Sequence, residues 1–233
     1  MKVFDNYFGG KEASGVYQQI INCIRPHDIY MELFLGNGAV YRYKKPARCS
    51  NILNDLSCNV YARWMDSGIS LTPKAHLLCC DTIEFLTNYV FDPKLRYCIY
   101  LDPPYPLTSR KSHVEVYEHE MTDEQHLRLL EVITSLPSNV DVLISTYKNP
   151  IYEKCLKDWH LKKFPARTRT YTATEYLYLN YDPDLGDLHE FTFLGKNFTE
   201  RQRIKRKIER HVERLNSLPV AERKAIIEAV SKL

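Results

Sequence analysis

Apolar positions along this chain fall into short compact runs, and these alternate with stretches whose apolar residues recur at helical spacing. The runs at residues 29–35, 51–53, 75–80, 96–101, 141–145 and 175–180 have the length and composition of strands. Residues 12–24 instead place Val16, Ile20 and Ile24 on one helical face, and Pro26 ends that helix. Thr122-Asp123-Glu124-Gln125 has the capping-box pattern and leads into Leu127, Leu130 and Ile133, which predicts a helix there. Strands separated by helices predict an α/β fold with a mostly parallel sheet and helices on both faces. Ligands of such sheets bind at the carboxyl ends of the strands. Four of the predicted strands end at Gly36, Asp55, Asp81 and Asp102, so the pattern places chemistry-bearing residues along one edge.

The last fifty residues differ in character. Residues 183–195 read as a loop, residues 197–215 as a charged helix, and Pro219 introduces a final helix. The expected organisation is a domain over residues 1–182 and a helical extension over residues 183–233. The net charge is only +3, yet residues 200–214 hold seven basic side chains against three acidic ones. The positive excess is therefore concentrated in the extension, as expected for contact with a polyanion, although a solvated helix face has the same pattern.

Other features narrow the class. Apolar content of 44% is that of an ordinary globular domain. No apolar stretch is long enough to cross a bilayer, and the N-terminus lacks a secretion-signal core, so a cytoplasmic protein is expected. Seven scattered cysteines without a paired CxxC spacing argue against a disulfide framework and against structural zinc. No metal is expected.

Asp102-Pro103-Pro104-Tyr105 is the most informative tetrapeptide, because it follows directly on the apolar run Tyr97-Cys98-Ile99-Tyr100-Leu101. Two prolines fix a rigid turn where a buried strand emerges. That turn offers a carboxylate, a main-chain carbonyl and an aromatic ring together. The exocyclic amine of adenine needs such a set, since its lone pair is delocalised into the ring. Two acceptors, Asp102 and the Pro103 carbonyl, can hold both N6 hydrogens and localise that pair, while Tyr105 stacks on a flipped base. Taken alone, the tetrapeptide is also compatible with an ordinary proline turn.

From Tyr7 to about Tyr181 the chain resembles the Dam-type DNA adenine-N6 methyltransferases. Tyr7-Phe8-Gly9-Gly10-Lys11 resembles the N-terminal cofactor motif of that family, and Glu32-Leu33-Phe34-Leu35-Gly36-Asn37-Gly38 its first-strand motif. The resemblance implies a Rossmann-like S-adenosylmethionine-dependent methyltransferase fold with S-adenosylhomocysteine as product. It also implies cofactor contacts from Tyr7, Phe8, Lys11, Glu32, Phe34, Gly36 and Gly38, with Asp55 on the ribose, Asp81 and Thr82 at the cofactor's adenine, and Asp102. Asp102, Pro103, Pro104 and Tyr105 would carry the catalytic turn. Glycines at 36 and 38 would let the backbone approach the ligand closely, whereas Asp55 and Asp81 taken singly read more often as helix caps.

One departure from the family pattern matters. A target-recognition domain usually precedes the catalytic turn, but only about twenty residues separate Asp81 from Asp102, room for one helix and one strand. DNA contacts are therefore expected elsewhere: Arg110 and Lys111 after the turn, Arg167 and Arg169 further on, and Arg203, Arg206, Lys207 and Arg210 in the charged helix. The compact form is similar to methylases of bacteriophages and prophages, and the missing insert predicts weak sequence specificity. Two readings stay open beside adenine-N6 methylation of DNA. An RNA methyltransferase acting on adenine or guanine amines can share the turn, though the aromatic-Gly-Gly-Lys motif favours DNA. A non-catalytic DNA-binding protein would account for the basic helix but not for the strand-end motifs.

Overall fold

The computed structural model describes residues 10–12, 15–68, 74–110, 116–167 and 172–232. Seven strands form one sheet: β1 (Ile29–Glu32), β2 (Ser50–Asn54), β3 (Ala75–Leu78), β4 (Tyr97–Leu101), β5 (Val140–Thr146), β6 (His160–Arg167) and β7 (Thr172–Leu179). Their order is β3-β2-β1-β4-β5-β7-β6. The first five are parallel, while β7 runs antiparallel to both β5 and β6. The mostly parallel α/β fold expected from the sequence is therefore present.

Helix α1 (Val16–Ile21) precedes the first strand, and the helices between the strands are α2 (Ala39–Tyr43), α3 (Cys58–Asp66), α4 (Thr82–Asn88), α5 (Asp123–Thr134) and α6 (Pro150–Cys155). The capping box that predicts α5 is formed, with Thr122 accepting from the Gln125 amide and Gln125 accepting from the Thr122 amide. Side chains alternate across the sheet, so neighbouring residues on a strand serve opposite faces. Met31, Ile99, Val142 and Ile144 pack with Leu86 of α4, Leu129 and Ile133 of α5, and Tyr152 of α6. Their neighbours Tyr30, Cys98, Tyr100 and Leu143 are also buried, and on that side the Tyr41 amide of α2 donates to Glu32. Every residue of β4 is buried, which is why it reads as a continuous apolar run.

Strand order reverses direction at β1. The chain winds outward from β1 through β2 to β3, then returns to place β4 on the other side of β1. A crevice opens where the connections diverge, beyond the carboxyl ends of β1 and β4. These are the ends that carry Glu32 and Asp102.

The chain divides into two compact units, residues 1–190 and residues 191–233. Residues 183–190, expected in the extension, lie in the first unit; there the Lys45 amide donates to Glu190 at 2.9 Å. The second unit holds α7 (Phe198–Asn216) and α8 (Val220–Val230), and none of its described residues is buried. No helix among the described residues is long and apolar enough to cross a membrane.

Candidate active site

The crevice beyond β1 and β4 contains a cavity of about 590 Å³. Lys11, Glu32, Phe34, Gly36, Gly38, Asp55, Asp81, Thr82, Asp102 and Pro104 all line it. Pro103 and Tyr105 do not; the first is buried and the second half-buried beside it. Tyr7 and Phe8 fall outside the described residues, as do Lys111 and Arg169, and Arg167 is placed only as backbone in β6.

At the catalytic turn four side chains converge. Lys11 Nζ lies 2.8 Å from Asp102 Oδ1 and 3.2 Å from Glu175 Oε1, and it donates to the Tyr105 hydroxyl at 2.7 Å. The Tyr105 hydroxyl also lies 3.1 Å from Asp102 Oδ1 and in hydrogen-bond contact with Glu175 Oε1. The Tyr105 ring has Lys11 Nζ at 4.9 Å from its centroid and the Tyr147 ring edge-on at 4.6 Å. Both bonds to Asp102 end on Oδ1, which leaves Oδ2 to accept a further hydrogen, and Asp102 is part of the cavity wall. Burial raises the Asp102 carboxyl to about 6; Lys11 opposes the rise and Glu175 adds to it. For Lys11, burial works against the charge, but Asp102 and Glu175 outweigh it and hold the ammonium above its ordinary value. Oppositely charged neighbours in a dry site keep each other ionised.

Glu175 belongs to this group although no role for it follows from the sequence. It is only 2% exposed, on β7. Its signal is visible in retrospect: a carboxylate within the otherwise apolar run Glu175-Tyr176-Leu177-Tyr178-Leu179 requires a partner once buried.

The glycine-containing loop after β1 is built differently from the expectation. Gly38 has φ +58°, and a Cβ there would sit 2.4 Å from Cζ2 and 2.8 Å from Cη2 of Trp64. The indole of Trp64, on α3, occupies the space that a side chain would need, and its Nε1 donates to the Gly36 carbonyl at 2.8 Å. Close approach at Gly38 is thus to a buried tryptophan, a packing role that adds to its place in the cavity wall.

The strand-end acids are held by main chain. Asp55 accepts from the Gly36 amide at 2.8 Å through Oδ2 and from the Ser57 amide at 3.0 Å through Oδ1; burial raises its carboxyl, and those two amides oppose the rise. Asp81 caps α4, accepting from the Glu84 amide at 2.8 Å. Thr82 is buried and donates to the Leu33 carbonyl at 2.6 Å. Asn54, fully buried, donates to the Cys80 carbonyl at 2.9 Å and accepts from the Cys80 amide at 3.0 Å. Its amide group also reaches the Leu33 carbonyl at 3.4 Å and Thr82 Oγ1 at 3.2 Å. One side chain thereby joins the ends of β1, β2 and β3. Glu32 accepts at Oε2 from Tyr30 Oη and from the Tyr41 amide, each at 2.8 Å. Burial pushes its carboxyl up to about 8 against those two bonds.

Beyond the turn, a short 3₁₀ segment (Leu107–Ser109) is held by Asn149, whose Nδ2 reaches Ser109 Oγ at 2.9 Å. Residues 116–121 then border the cavity. Glu118 accepts from Ser57 Oγ at 2.6 Å and from Asn59 Nδ2 at 3.0 Å, which ties this segment to the start of α3. Arg110, expected among the DNA contacts, is 7% exposed and forms paired bonds to Glu120 at 2.7 and 2.5 Å. Its charge is paired with Glu120 inside the protein. In the second unit Arg203, Arg206, Lys207 and Arg210 are all exposed on α7. Among the described residues no group of three or more His, Cys, Asp or Glu is placed to hold a metal ion.

The fold and a family match define the class: the protein is a Rossmann-like S-adenosylmethionine-dependent methyltransferase. Residues 79–172 match the family model described as D12 class N6 adenine-specific DNA methyltransferase, in agreement with the resemblance seen in the sequence. No curated protein sequence matches the chain. Similar solved structures include TrmN from Thermus thermophilus, at 15% identity over 73% of this chain and 49% of that one, with a TM-score of 0.49. An rRNA methylase from Streptococcus thermophilus is 14% identical over 73% of this chain and 97% of that one, with a TM-score of 0.46. A SAM-dependent methyltransferase from Agrobacterium tumefaciens is 15% identical over 72% and 59%, with a TM-score of 0.45. At these scores the likenesses say nothing about substrate, and the finer reading rests on the family match and the site.

Proposed function

We propose that the protein methylates the exocyclic N6 of adenine in DNA. The observation that carries this reading is Asp102 in the cavity wall, with Oδ1 fixed by Lys11 and Tyr105 and Oδ2 left to accept a further hydrogen. A carboxylate so oriented accepts one hydrogen of an aromatic amine, and the Pro103 carbonyl accepts the other. Together they draw the nitrogen lone pair out of conjugation as positive charge develops on it. Tyr105 and Tyr147 supply aromatic surface beside an extruded base.

The cavity suits the cofactor: about 590 Å³ is within the usual range for an organic ligand. Phe34 and Ile83 offer apolar wall, and Glu32, Asp55 and Asp81 offer acceptors for hydroxyl and amine hydrogens. S-adenosylmethionine supplies a methyl group on a sulfonium, and no metal takes part in the proposal. Lys11 holds Asp102 and Glu175 in register while remaining charged.

Contact with DNA is assigned to the second unit and to Lys111, Arg167 and Arg169. The 19 residues of α7 span about 28 Å, and Arg203, Arg206, Lys207 and Arg210 are exposed along it. Such charges grip phosphate without reading bases. With no recognition insert before the turn, sequence specificity is expected to be weak.

The test is a methylation assay of the purified chain on DNA and on RNA, with mass spectrometry of the released nucleosides. N6-methyladenine in DNA is the expected product. Product in RNA alone, or on cytosine, would overturn the reading. In Asp102→Ala, turnover should fall on the order of 10²–10³-fold while S-adenosylhomocysteine binding persists.

A further inference from the structure

Two cysteines meet at the rim of the crevice. Cys58 Sγ and Cys79 Sγ lie 3.0 Å apart, and both residues are exposed. The contact follows from the topology. Asn54 of β2 pairs with Leu78 of β3, so the two parallel strands end side by side, and Cys79 follows β3 directly. The chain leaving β2 turns through Asp55 and Ser57 into α3, whose first residue is Cys58. Ser57 caps that helix and lines the cavity on one side of the pair. Asp81 caps α4 and lines the cavity on the other. Cys79 Sγ also approaches the Leu56 carbonyl at 3.7 Å, and Leu56 is part of the cavity wall as well. The thiols therefore bridge the two loops that form one edge of the site.

We propose that Cys58 and Cys79 are a reversible oxidation site, closing to a disulfide with a peroxide as oxidant and thereby weakening cofactor binding. The two exposed thiols share a hydrogen, and in the proposed step Cys58 is the first nucleophile. Its thiolate attacks one peroxide oxygen, the O–O bond breaks, and the leaving oxygen departs as water after protonation. The resulting sulfenic acid on Cys58 is attacked by Cys79 sulfur; the S–O bond breaks, a second water leaves, and the S–S bond forms. Two thiols are oxidised and one peroxide is reduced to two waters. The sulfurs must close by about 1 Å to reach bonding distance. That closure draws the start of α3 toward the end of β3 and narrows the rim of the crevice.

The effect on the cofactor rests on the methyltransferase reading, but the disulfide itself does not. The experiment treats the full chain with hydrogen peroxide, blocks remaining thiols with N-ethylmaleimide, and maps peptides without reduction. In parallel, calorimetry measures S-adenosylhomocysteine binding before oxidation, after it, and after dithiothreitol. A Cys58–Cys79 peptide is expected, with the exposed Cys49 alkylated. The dissociation constant should rise about threefold or more and recover on reduction, a change of at least about 0.65 kcal/mol. Cys79→Ser and Cys58→Ala should each abolish both effects, so either variant serves if the other misfolds. Absence of that peptide, or its presence with unchanged affinity, overturns the proposal. Failure to bind S-adenosylhomocysteine in both states counts against the methyltransferase reading, and the peptide map still decides whether the oxidation site exists.

Discussion

Replacing Gly38 by alanine separates two accounts of the loop after β1. If that glycine serves mainly to let a ligand approach, Gly38→Ala weakens cofactor binding and leaves stability intact. The structure predicts the reverse. The added methyl carbon would sit 2.4 Å from Trp64 Cζ2 and 3.0 Å from Leu35 Cδ1, well inside contact distance. Trp64 cannot swing away cheaply, because it is 2% exposed and its Nε1 is bonded to the Gly36 carbonyl. Overpacking of this kind costs about 1–3 kcal/mol, and holding alanine at φ +58° adds roughly 1–2 kcal/mol. The expected loss is therefore about 2–5 kcal/mol, a large part of the 5–15 kcal/mol typical of a domain. Urea unfolding followed by tryptophan fluorescence measures it. Trp64→Phe removes the two indole atoms in closest conflict, so the double variant should lose less than the sum of the single losses. An unfolding midpoint equal to wild type, together with tenfold weaker S-adenosylhomocysteine binding, would refute the packing argument.

The remaining predictions concern charge. Glu175→Gln removes a negative charge that raises Asp102, so the acid limb of the rate profile, expected near pH 6, should move down by about one unit; an unmoved limb would separate Glu175 from the catalytic turn. Glu32 keeps its proton to about 8 in the folded protein, whereas an unfolded carboxyl loses it near its ordinary value of about 4.3. The folded state therefore binds the extra proton, and this contribution to stability is present at low pH and lost as pH rises toward 8. Glu32→Gln should flatten that slope in unfolding measurements from pH 5 to 8.5 while keeping the acceptor for Tyr30 and the Tyr41 amide. Replacing Arg203, Arg206 and Arg210 together by alanine should reduce the slope of log affinity for duplex DNA against log salt by about 3; an unchanged slope would remove α7 from the interface.

Much of the fold is legible in the sequence because parallel strands buried on both faces must be continuously apolar, as residues 97–101 are. β6 is not legible for the complementary reason. It is an edge strand, paired only with β7, and its His160, Lys162, Lys163 and Pro165 are residues that an exposed edge tolerates and a pattern search passes over. The catalytic turn is legible because its prolines and carboxylate are adjacent in the chain. Glu175 and Trp64 are not, since their roles arise from contacts across 70 and 28 positions respectively. Arg110 shows the opposite failure: a basic residue in a loop reads as solvent-facing until Glu120, ten positions on, is seen to bury it. The cap at Asp81 is legible as an acid ahead of a helix, whereas the bond from the distant Gly36 amide to Asp55 is not.

Asn54 has a consequence for how the crevice meets its ligand. With a single amide joining three strand ends, the floor is set before anything arrives, and little conformational freedom is left there to be lost on binding. Affinity can then be adjusted by exchanging residues that point upward from a fixed base. Exchanging Asn54 itself would disturb every contact at once.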